Sequence, residues 1–303
     1  MIGPHLPAIL LDRMSSKETA PLILDGKGVR DQIFAELKPR VEKLTASRRP
    51  PGLAVILVGN DPGSEIYVRL KIKTSGELGI YSEKIALPDT VTTGELLGII
   101  EGLNQRPEID GILVQTPLPP QVDKNLVLRA VKPDKDVDGF HPLNVGALVE
   151  NLPGPRACTP VGILEMLRRY DIPVAGRHAV VVGRSDIVGK PMALLLLHAN
   201  ATVTICHSKT SNLVEECRRA DILVAAIGKA HLITRDFIKP GATIVDVGMN
   251  RKPDGKLAGD VNPEDAKALA GAYTPVPGGV GPLTIAMLMA NTVEIAEQHL
   301  CSG

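Results

Sequence analysis

Aromatic side chains are nearly absent from this sequence of 303 residues: they make up 2% of it, and there is no tryptophan. That scarcity argues against the stacking platforms on which single-stranded nucleic acids are held. Neither sign of charge is in excess, since Lys plus Arg (34) equals Asp plus Glu (34). No electrostatic handle for nucleic acid or an anionic membrane results, and neither is expected as a partner. An apolar run of about 18 residues is also missing, so no transmembrane helix is expected. The seven histidines form no His-x-His or His-Glu-x-x-His pattern, and a bound metal is not indicated. Cys158, Cys206, Cys217 and Cys301 make no Cys-x-x-Cys pair, which fits reduced thiols in a cytoplasmic compartment. At the N-terminus, the apolar patch Leu6–Leu11 is interrupted by Asp12 and Arg13 and lacks a basic start and a small-residue cleavage site. Residues 1–21 are therefore set apart as an extension whose role the sequence does not give.

What is present is an alternation of apolar strand-like runs and helical periodicities, the pattern of an α/β protein with largely parallel sheets. In the first half, Leu53–Gly59 and Gly111–Gln115 read as buried strands. Helices are expected around Gly28–Leu44, Ser64–Leu78, Gly94–Leu103 and Lys124–Val131, the first of them kinked or split by Pro39. Asn151-Leu-Pro-Gly-Pro155 is a turn-rich boundary. Beyond it Thr159 is placed to cap a helix with Pro160 at its first position. Strands are then expected at Ala179–Val182, Thr202–Cys206, Ile222–Ile227 and Thr243–Val247, a doubly wound nucleotide-binding arrangement. Thr274-Pro-Val-Pro-Gly-Gly-Val-Gly-Pro-Leu-Thr284 forms a stiff loop, with the last helix expected at Leu283–His299. The resulting division is 22–150 for a catalytic substrate domain, 151–282 for a Rossmann-type domain, and 283–303 for a C-terminal helix expected to return to the first domain.

The most telling segment is Ala179-Val-Val-Val-Gly-Arg-Ser-Asp-Ile-Val-Gly-Lys-Pro-Met192. A buried strand ends at Gly183, and Gly189 opens an apolar helix. Such a turn suits a phosphate, because backbone donors and the positive end of the helix dipole converge there. The spacing is Gly-x-Ser-x-x-x-Gly, a variant of the usual dinucleotide fingerprint, and a plain tight turn would look similar. Gly183, Arg184, Ser185 and Gly189 are candidate cofactor contacts. The second strand ends in His207-Ser208-Lys209-Thr210 with no carboxylate. A carboxylate there would accept from a ribose 2′-hydroxyl and repel a 2′-phosphate; Ser208, Lys209 and Arg184 would attract the phosphate instead, favouring NADP.

Upstream, Tyr67 and Lys71 are four residues apart on a helix and share a face. A Tyr-x-x-x-Lys pair also occurs in short-chain dehydrogenases, but there it follows the glycine turn, whereas here it precedes it. Gln115 ends a buried strand, at the sheet edge where ligands sit in open α/β folds. Pro133-Asp-Lys-Asp-Val-Asp-Gly-Phe-His-Pro142 packs three carboxylates into a turn, among them Asp138, which could receive paired N–H donors from a polar heterocycle.

Tyr67–Lys71, Asp110–Pro119, Pro133–Pro142, Val181–Pro191 and Thr274–Thr284, taken in this order, resemble the bifunctional methylenetetrahydrofolate dehydrogenase/methenyltetrahydrofolate cyclohydrolase family. The resemblance runs from about Leu22 to the C-terminus. Thr116 stands where a leucine is common, Leu283 where a methionine is common, and Met1–Pro21 is extra. The resemblance implies oxidation of 5,10-methylenetetrahydrofolate by NADP, then hydrolysis of the methenyl cation to 10-formyltetrahydrofolate. It implies that Lys71 moves protons in the second step, oriented by Gln115, with burial and a cationic substrate disfavouring its ammonium form. Tyr67 would pack on the aminobenzoyl ring, Asp138 would hold the pterin, and Pro277, Gly278 and Gly279 would border the cleft. Gly183, Arg184, Ser185, Ser208 and Met249 would meet NADP, and a homodimer is usual for such enzymes. A dehydrogenase without cyclohydrolase would be expected to lack Lys71. A shikimate-type dehydrogenase would have no use for Tyr67 and Asp138, and a folate-storing or nucleotide-sensing protein would be expected to lose Lys71, Gln115 or the glycine turn.

Overall fold

The computed structural model describes residues 20–301; most of the expected N-terminal extension lies outside them. The chain opens with β1 (Leu22–Ile23) and α1 (Gly26–Ser47), whose start Asp25 caps by accepting from the N–H groups of Lys27 and Gly28. Val29, Ile33, Leu37, Val41 and Leu44 form the buried stripe of α1 at helical spacing. α1 runs unbroken through Pro39, so of the kink or split expected there, the split does not occur. Pro39 is exposed, and the buried stripe packs against the C-terminal helix on both sides of it.

β2 (Gly52–Val58) is buried at every residue, as a central parallel strand must be. It is followed by α2 (Pro62–Leu78), β3 (Tyr81–Leu87), α3 (Thr93–Gln105), β4 (Gly111–Val114), α4 (Lys124–Ala130) and α5 (Pro142–Val149). The three strands form a parallel sheet in the order β3-β2-β4. β3 was not among the expected strands. As an edge strand it is largely exposed or half-buried, and Ser82, Glu83 and Lys84 hide its pattern.

The second half contains α6 (Cys158–Arg169), β5 (His178–Val182), α7 (Gly189–His198), β6 (Thr202–Cys206), α8 (Leu213–Arg218), β7 (Ile222–Ala225) and β8 (Thr243–Asp246). A small hairpin of β9 (Asn250–Arg251) and β10 (Leu257–Ala258) comes next, then α9 (Pro263–Leu269), β11 (Ala272–Tyr273) and α10 (Val280–Cys301). Its sheet is six-stranded and parallel, in the order β1-β11-β8-β7-β5-β6. β5 therefore has β6 on one side and β7 on the other, the switch point at which open α/β sheets leave a crevice.

α6 starts at Cys158 with Ala157 at its cap, so Thr159 is not the cap expected of it; its hydroxyl is 2.7 Å from that of Thr284 instead. The last helix likewise begins earlier than Leu283, at Val280, with Pro282 still in its first turn. The halves are laced together at both ends of the chain. β1 pairs with β11 in the second sheet, while α10 packs against α1, α2 and the first sheet as well as α6.

Candidate active site

α2 is delimited by strong local signals: the Asp61 carboxylate accepts from Ser64 N–H at 2.7 Å, Pro62 takes the first turn, and Gly79 closes the helix in the left-handed region. This fixes Tyr67 and Lys71 one turn apart on the wall of two adjoining cavities. The larger, 340 Å³, is lined by Tyr67, Met249, Lys27, Arg30 and the Pro277-Gly278-Gly279 loop. The smaller, 260 Å³, is lined by Tyr67, Lys71, Thr159, Thr284, Met249 and Val188. Tyr67 and Met249 divide the two, with the Tyr67 hydroxyl 3.8 Å from the Met249 sulfur. Burial raises the Tyr67 phenol above its ordinary range, against the opposing pull of Arg251.

Lys71 Nζ donates to Gln115 Oε1 at 3.0 Å, and Gln115 Nε2 donates to Thr116 O at 2.8 Å. The second bond sets which end of the amide faces the lysine. Gln115 directly follows β4 and is carried to the sheet edge by it. Asp138 lies within electrostatic reach of Lys71, and its carboxylate accepts no hydrogen bond from the described residues. Burial pushes that carboxyl up to about 6; Lys71 opposes the shift and Asp136 adds to it. Lys71 lines the smaller cavity, and it reaches Gln115 by its hydrogen bond and Asp138 electrostatically.

The glycine loop is anchored to the start of α1, where Gly278 O accepts from Gly26 N–H at 3.0 Å. Gly279 N–H donates to Pro275 O at 2.8 Å, closing the turn on itself.

On the nucleotide side, Gly183 has φ +136 and a Cβ there would strike the Ala226 carbonyl oxygen, so only glycine fits. A Cβ on Gly189 would collide with the Gly183 carbonyl, so the start of α7 lies directly against the end of β5. The first N–H groups of α7 are not free, contrary to expectation. Gly189 N–H donates to Ser185 Oγ at 3.3 Å, Lys190 N–H to Ser185 O at 3.0 Å, and Pro191 has none. Ser185 thus ties off the helix end itself, also accepting from Val188 N–H at 3.2 Å. The donors without a partner among the described residues are the successive N–H groups of Arg184, Ser185, Asp186 and Ile187 in the preceding exposed turn. Backbone donors open to an anion are thus those of the turn, not those of the helix.

Gly183 N–H donates to Cys206 O, so Arg184 and His207 emerge side by side from adjacent strands. The His207–Thr210 turn is pinned by His207 N–H to Thr210 Oγ1 at 2.8 Å and Lys209 N–H to His207 Nδ1 at 3.1 Å, leaving Ser208 exposed. Without a carboxylate here, and with Arg184 and Lys209 present, the residues fit a dinucleotide bearing a 2′-phosphate. This set lies along the strand ends outside the two cavities and adjoins them through Val188 and Met249.

Two buried carboxylates escaped sequence reasoning. Asp246 accepts from the N–H groups of Gly248, Asp260 and Val261 at 2.8–2.9 Å, and burial together with Asp260 pushes its carboxyl up to about 6 against those donors. Asp260 accepts from Ile227, Gly228 and Lys229 N–H and from Asn250 Nδ2. Together they hold the loops after β7 and β8, including the Met249 segment. The available signal was an aspartate closing the apolar run Thr243–Asp246.

Known proteins share this fold and this order of domains. Residues 24–138 match the catalytic domain of tetrahydrofolate dehydrogenase/cyclohydrolase, and residues 157–300 match its NAD(P)-binding domain. The bifunctional protein FolD of Solibacter usitatus is 64% identical over 301 residues, covering 92% of this chain and 98% of that protein. The crystal structure of the bifunctional FolD enzyme of Campylobacter jejuni superposes with a TM-score of 0.91 at 46% identity, covering 92% of this chain and 99% of that one. The Trypanosoma brucei methylenetetrahydrofolate dehydrogenase-cyclohydrolase, solved with NADP and an inhibitor, gives a TM-score of 0.89 at 37% identity, covering 93% and 99% of the two chains. With both domain models matched in order and relatives at this identity over nearly their whole length, the chain belongs to the tetrahydrofolate dehydrogenase/cyclohydrolase family.

Proposed function

We propose that this enzyme oxidises 5,10-methylenetetrahydrofolate to the 5,10-methenyl cation with NADP, then hydrolyses the cation to 10-formyltetrahydrofolate. The observation that carries the reading is Lys71 held at 3.0 Å by an oriented Gln115 beside a carboxylate, Asp138, that has no donor of its own. An unpartnered carboxylate suits the paired N–H groups of a pterin, which would complete its hydrogen bonding. Tyr67, on the dividing wall, offers its ring face to the aminobenzoyl group.

Gly183, Arg184, Ser185, Gly189, Ser208 and Met249 would hold NADP, which would supply the hydride acceptor. In that step the protein's work is positioning, since the folate nitrogens push the hydride out. Thr159 and Thr284 contribute hydroxyls to the cavity where the two ligands would meet. In the second step water attacks the methenyl carbon: a C–O bond forms, and Lys71 Nζ takes the proton water loses. The bond from that carbon to the ring nitrogen N5 then breaks, its electron pair staying on N5, which is protonated as the formyl group remains on N10. One proton is released overall. Gln115 Oε1 holds Nζ in place throughout.

Residues 22–150 and 151–282 serve as the folate and nucleotide halves, with the C-terminal helix, described to Cys301, bridging them; a cytoplasmic homodimer is the working assembly. Among the described residues, no helix is long and apolar enough to cross a membrane. The test is absorbance during incubation with 5,10-methylenetetrahydrofolate and NADP or NAD separately. NADPH formation, with methenyl product passing on to 10-formyltetrahydrofolate, is expected. Turnover with neither cofactor would overturn the reading, and a methenyl product that accumulates would reduce it to a monofunctional dehydrogenase.

A further inference from the structure

With no donor on its carboxylate, Asp138 is aimed by its backbone alone, and that backbone is gripped from an unexpected direction. Asn291, on α10, is 154 residues away in sequence and only 8% exposed. Its amide Nδ2 donates to the carbonyl of Val137, the residue whose peptide bond leads into Asp138, at 2.8 Å. The same nitrogen reaches the Arg156 carbonyl at 3.0 Å and the Cys158 sulfur at 3.6 Å. Cys158 Sγ is itself 3.5 Å from Val137 O. One side-chain amide thus joins the loop that bears Asp138, the connection between the halves, and the first residue of α6.

The rest of the loop is fixed on either side of that point. Asp136 accepts from His141 N–H at 2.7 Å and from Asn144 Nδ2 at 2.9 Å. Gly139, at φ +69, lies flat on the Arg156–Ala157 backbone, where a Cβ would come within 2.5 Å of the Arg156 carbonyl carbon. Between these anchors, the Val137 carbonyl is the group whose direction turns the Asp138 peptide, and Asn291 sets it. α10 also carries Thr284 seven residues earlier, two turns away, and Thr284 meets Thr159 on the cavity wall.

We propose that Asn291 is a positioning residue for Asp138: from α10 it holds the Val137–Asp138 peptide in the orientation that presents the carboxylate toward Lys71 and the folate. Asn291 lines neither cavity. The inference rests on the folate reading of Asp138 given above.

The experiment compares Asn291→Ala and Asn291→Ser, each alone and combined with Asp138→Asn, by thermal melting and by KM for 5,10-methylenetetrahydrofolate and for NADP. Asn291→Ala is expected to raise the folate KM about five- to tenfold, the worth of a lost buried hydrogen bond. The NADP KM should stay within about two-fold, and Asn291→Ser, which keeps one donor, should fall between. In the Asp138→Asn background, the Asn291 change should add nothing to the folate KM, because the group it aims is already disabled. A general packing role would instead raise both KM values together, or add in full to the Asp138→Asn effect. Either result overturns the proposal, as does a folded Asn291→Ala or Asn291→Ser protein with wild-type folate KM. An Asp138→Asn protein with unchanged folate KM removes the premise, and the inference falls with it. If only the Asn291 variants fail to respond, the reading of Asp138 survives without Asn291.

Discussion

At the N-terminal end of β4, Asp110 is fully enclosed and accepts from Arg49 at 2.6 and 2.9 Å, from Gly52 N–H at 2.8 Å, and from His299 Nδ1 at 3.0 Å. Burial would raise its carboxyl, but the guanidinium, the imidazole and the N–H outweigh burial and hold it below the ordinary range. Beyond the other end of the same strand, Gln115 holds Lys71, and Asp138 accepts nothing from the described residues and sits at about 6. Two carboxylates in one half of the molecule, both largely buried, have opposite fates because one was given a guanidinium and an imidazole as partners and the other was given no donor. A group finished by its own protein is structural; a group left unfinished is waiting for a partner. Substitutions on each side should separate these roles.

The largest effect is expected at the open end. Lys71→Met should lower cyclohydrolase activity by about 10²- to 10⁴-fold, the usual worth of a positioned proton-transfer group. Dehydrogenase activity should survive in part, and NADP binding should be unchanged. Unimpaired hydrolysis of methenyltetrahydrofolate by this variant would contradict the role given to Lys71. At the closed end, Arg49→Met should leave a buried carboxylate short of its strongest partner and cost about 3–5 kcal/mol of stability, read from urea unfolding. The kinetic constants of the folded fraction should not move. A change in folate KM there would erase the distinction between the two ends.

The sequence carried this contrast unevenly. Local signals were legible: the helix around Ser64–Leu78, the apolar runs in β2 and β5, and the glycine turn. Tyr67, Lys71, Gln115 and Asp138 were identified because each sits at a recognisable place in a short motif. What stayed hidden depends on distant pairing. Asp110 was quoted only as the first residue of a motif, since its partners Arg49 and His299 are 61 and 189 residues away. Edge strand β3 carries too many polar residues to show a period, and β1 is two residues long and joins a sheet built from the other end of the chain. That Ser185 Oγ accepts from Val188 and Gly189 N–H could not be foreseen, because the spacing alone leaves those donors open to a ligand.

A smaller effect with two signs is expected from Asp138→Asn. The folate KM should rise about tenfold as a charge-assisted contact is lost. Stability of the ligand-free protein should rise at the same time. A carboxyl raised to about 6 stabilises the fold fully only below the unfolded carboxylate range, near pH 4, and that contribution is lost as the pH climbs through about 6. At pH 7.5 the neutral amide avoids that loss, a gain of roughly 1–2 kcal/mol after allowance for the exposed part of the side chain. Melting temperatures of the two proteins should therefore coincide near pH 4, separate between about pH 4 and 6, and stay apart by a constant amount at higher pH. Equal melting temperatures throughout would place Asp138 with Asp110 among the finished groups.

The comparison extends to the second sheet, with a milder test. There Asp246 and Asp260 are finished by backbone donors, while the turn from Arg184 to Ile187 keeps its N–H groups free and Arg184 makes no ion pair with a described residue. If that turn is the unfinished side of the nucleotide half, Arg184 should matter only for the ligand's extra phosphate. Arg184→Gln is expected to raise the NADP KM about three- to tenfold and leave the NAD KM unchanged, a modest effect because the guanidinium is exposed and screened by solvent. The NADP KM of the wild type should rise with added salt, and that of the variant should rise less steeply. Equal weakening of NADP and NAD would mean that Arg184 shapes the turn, and the 2′-phosphate would then have to be read by Ser208 and Lys209 from the neighbouring strand end.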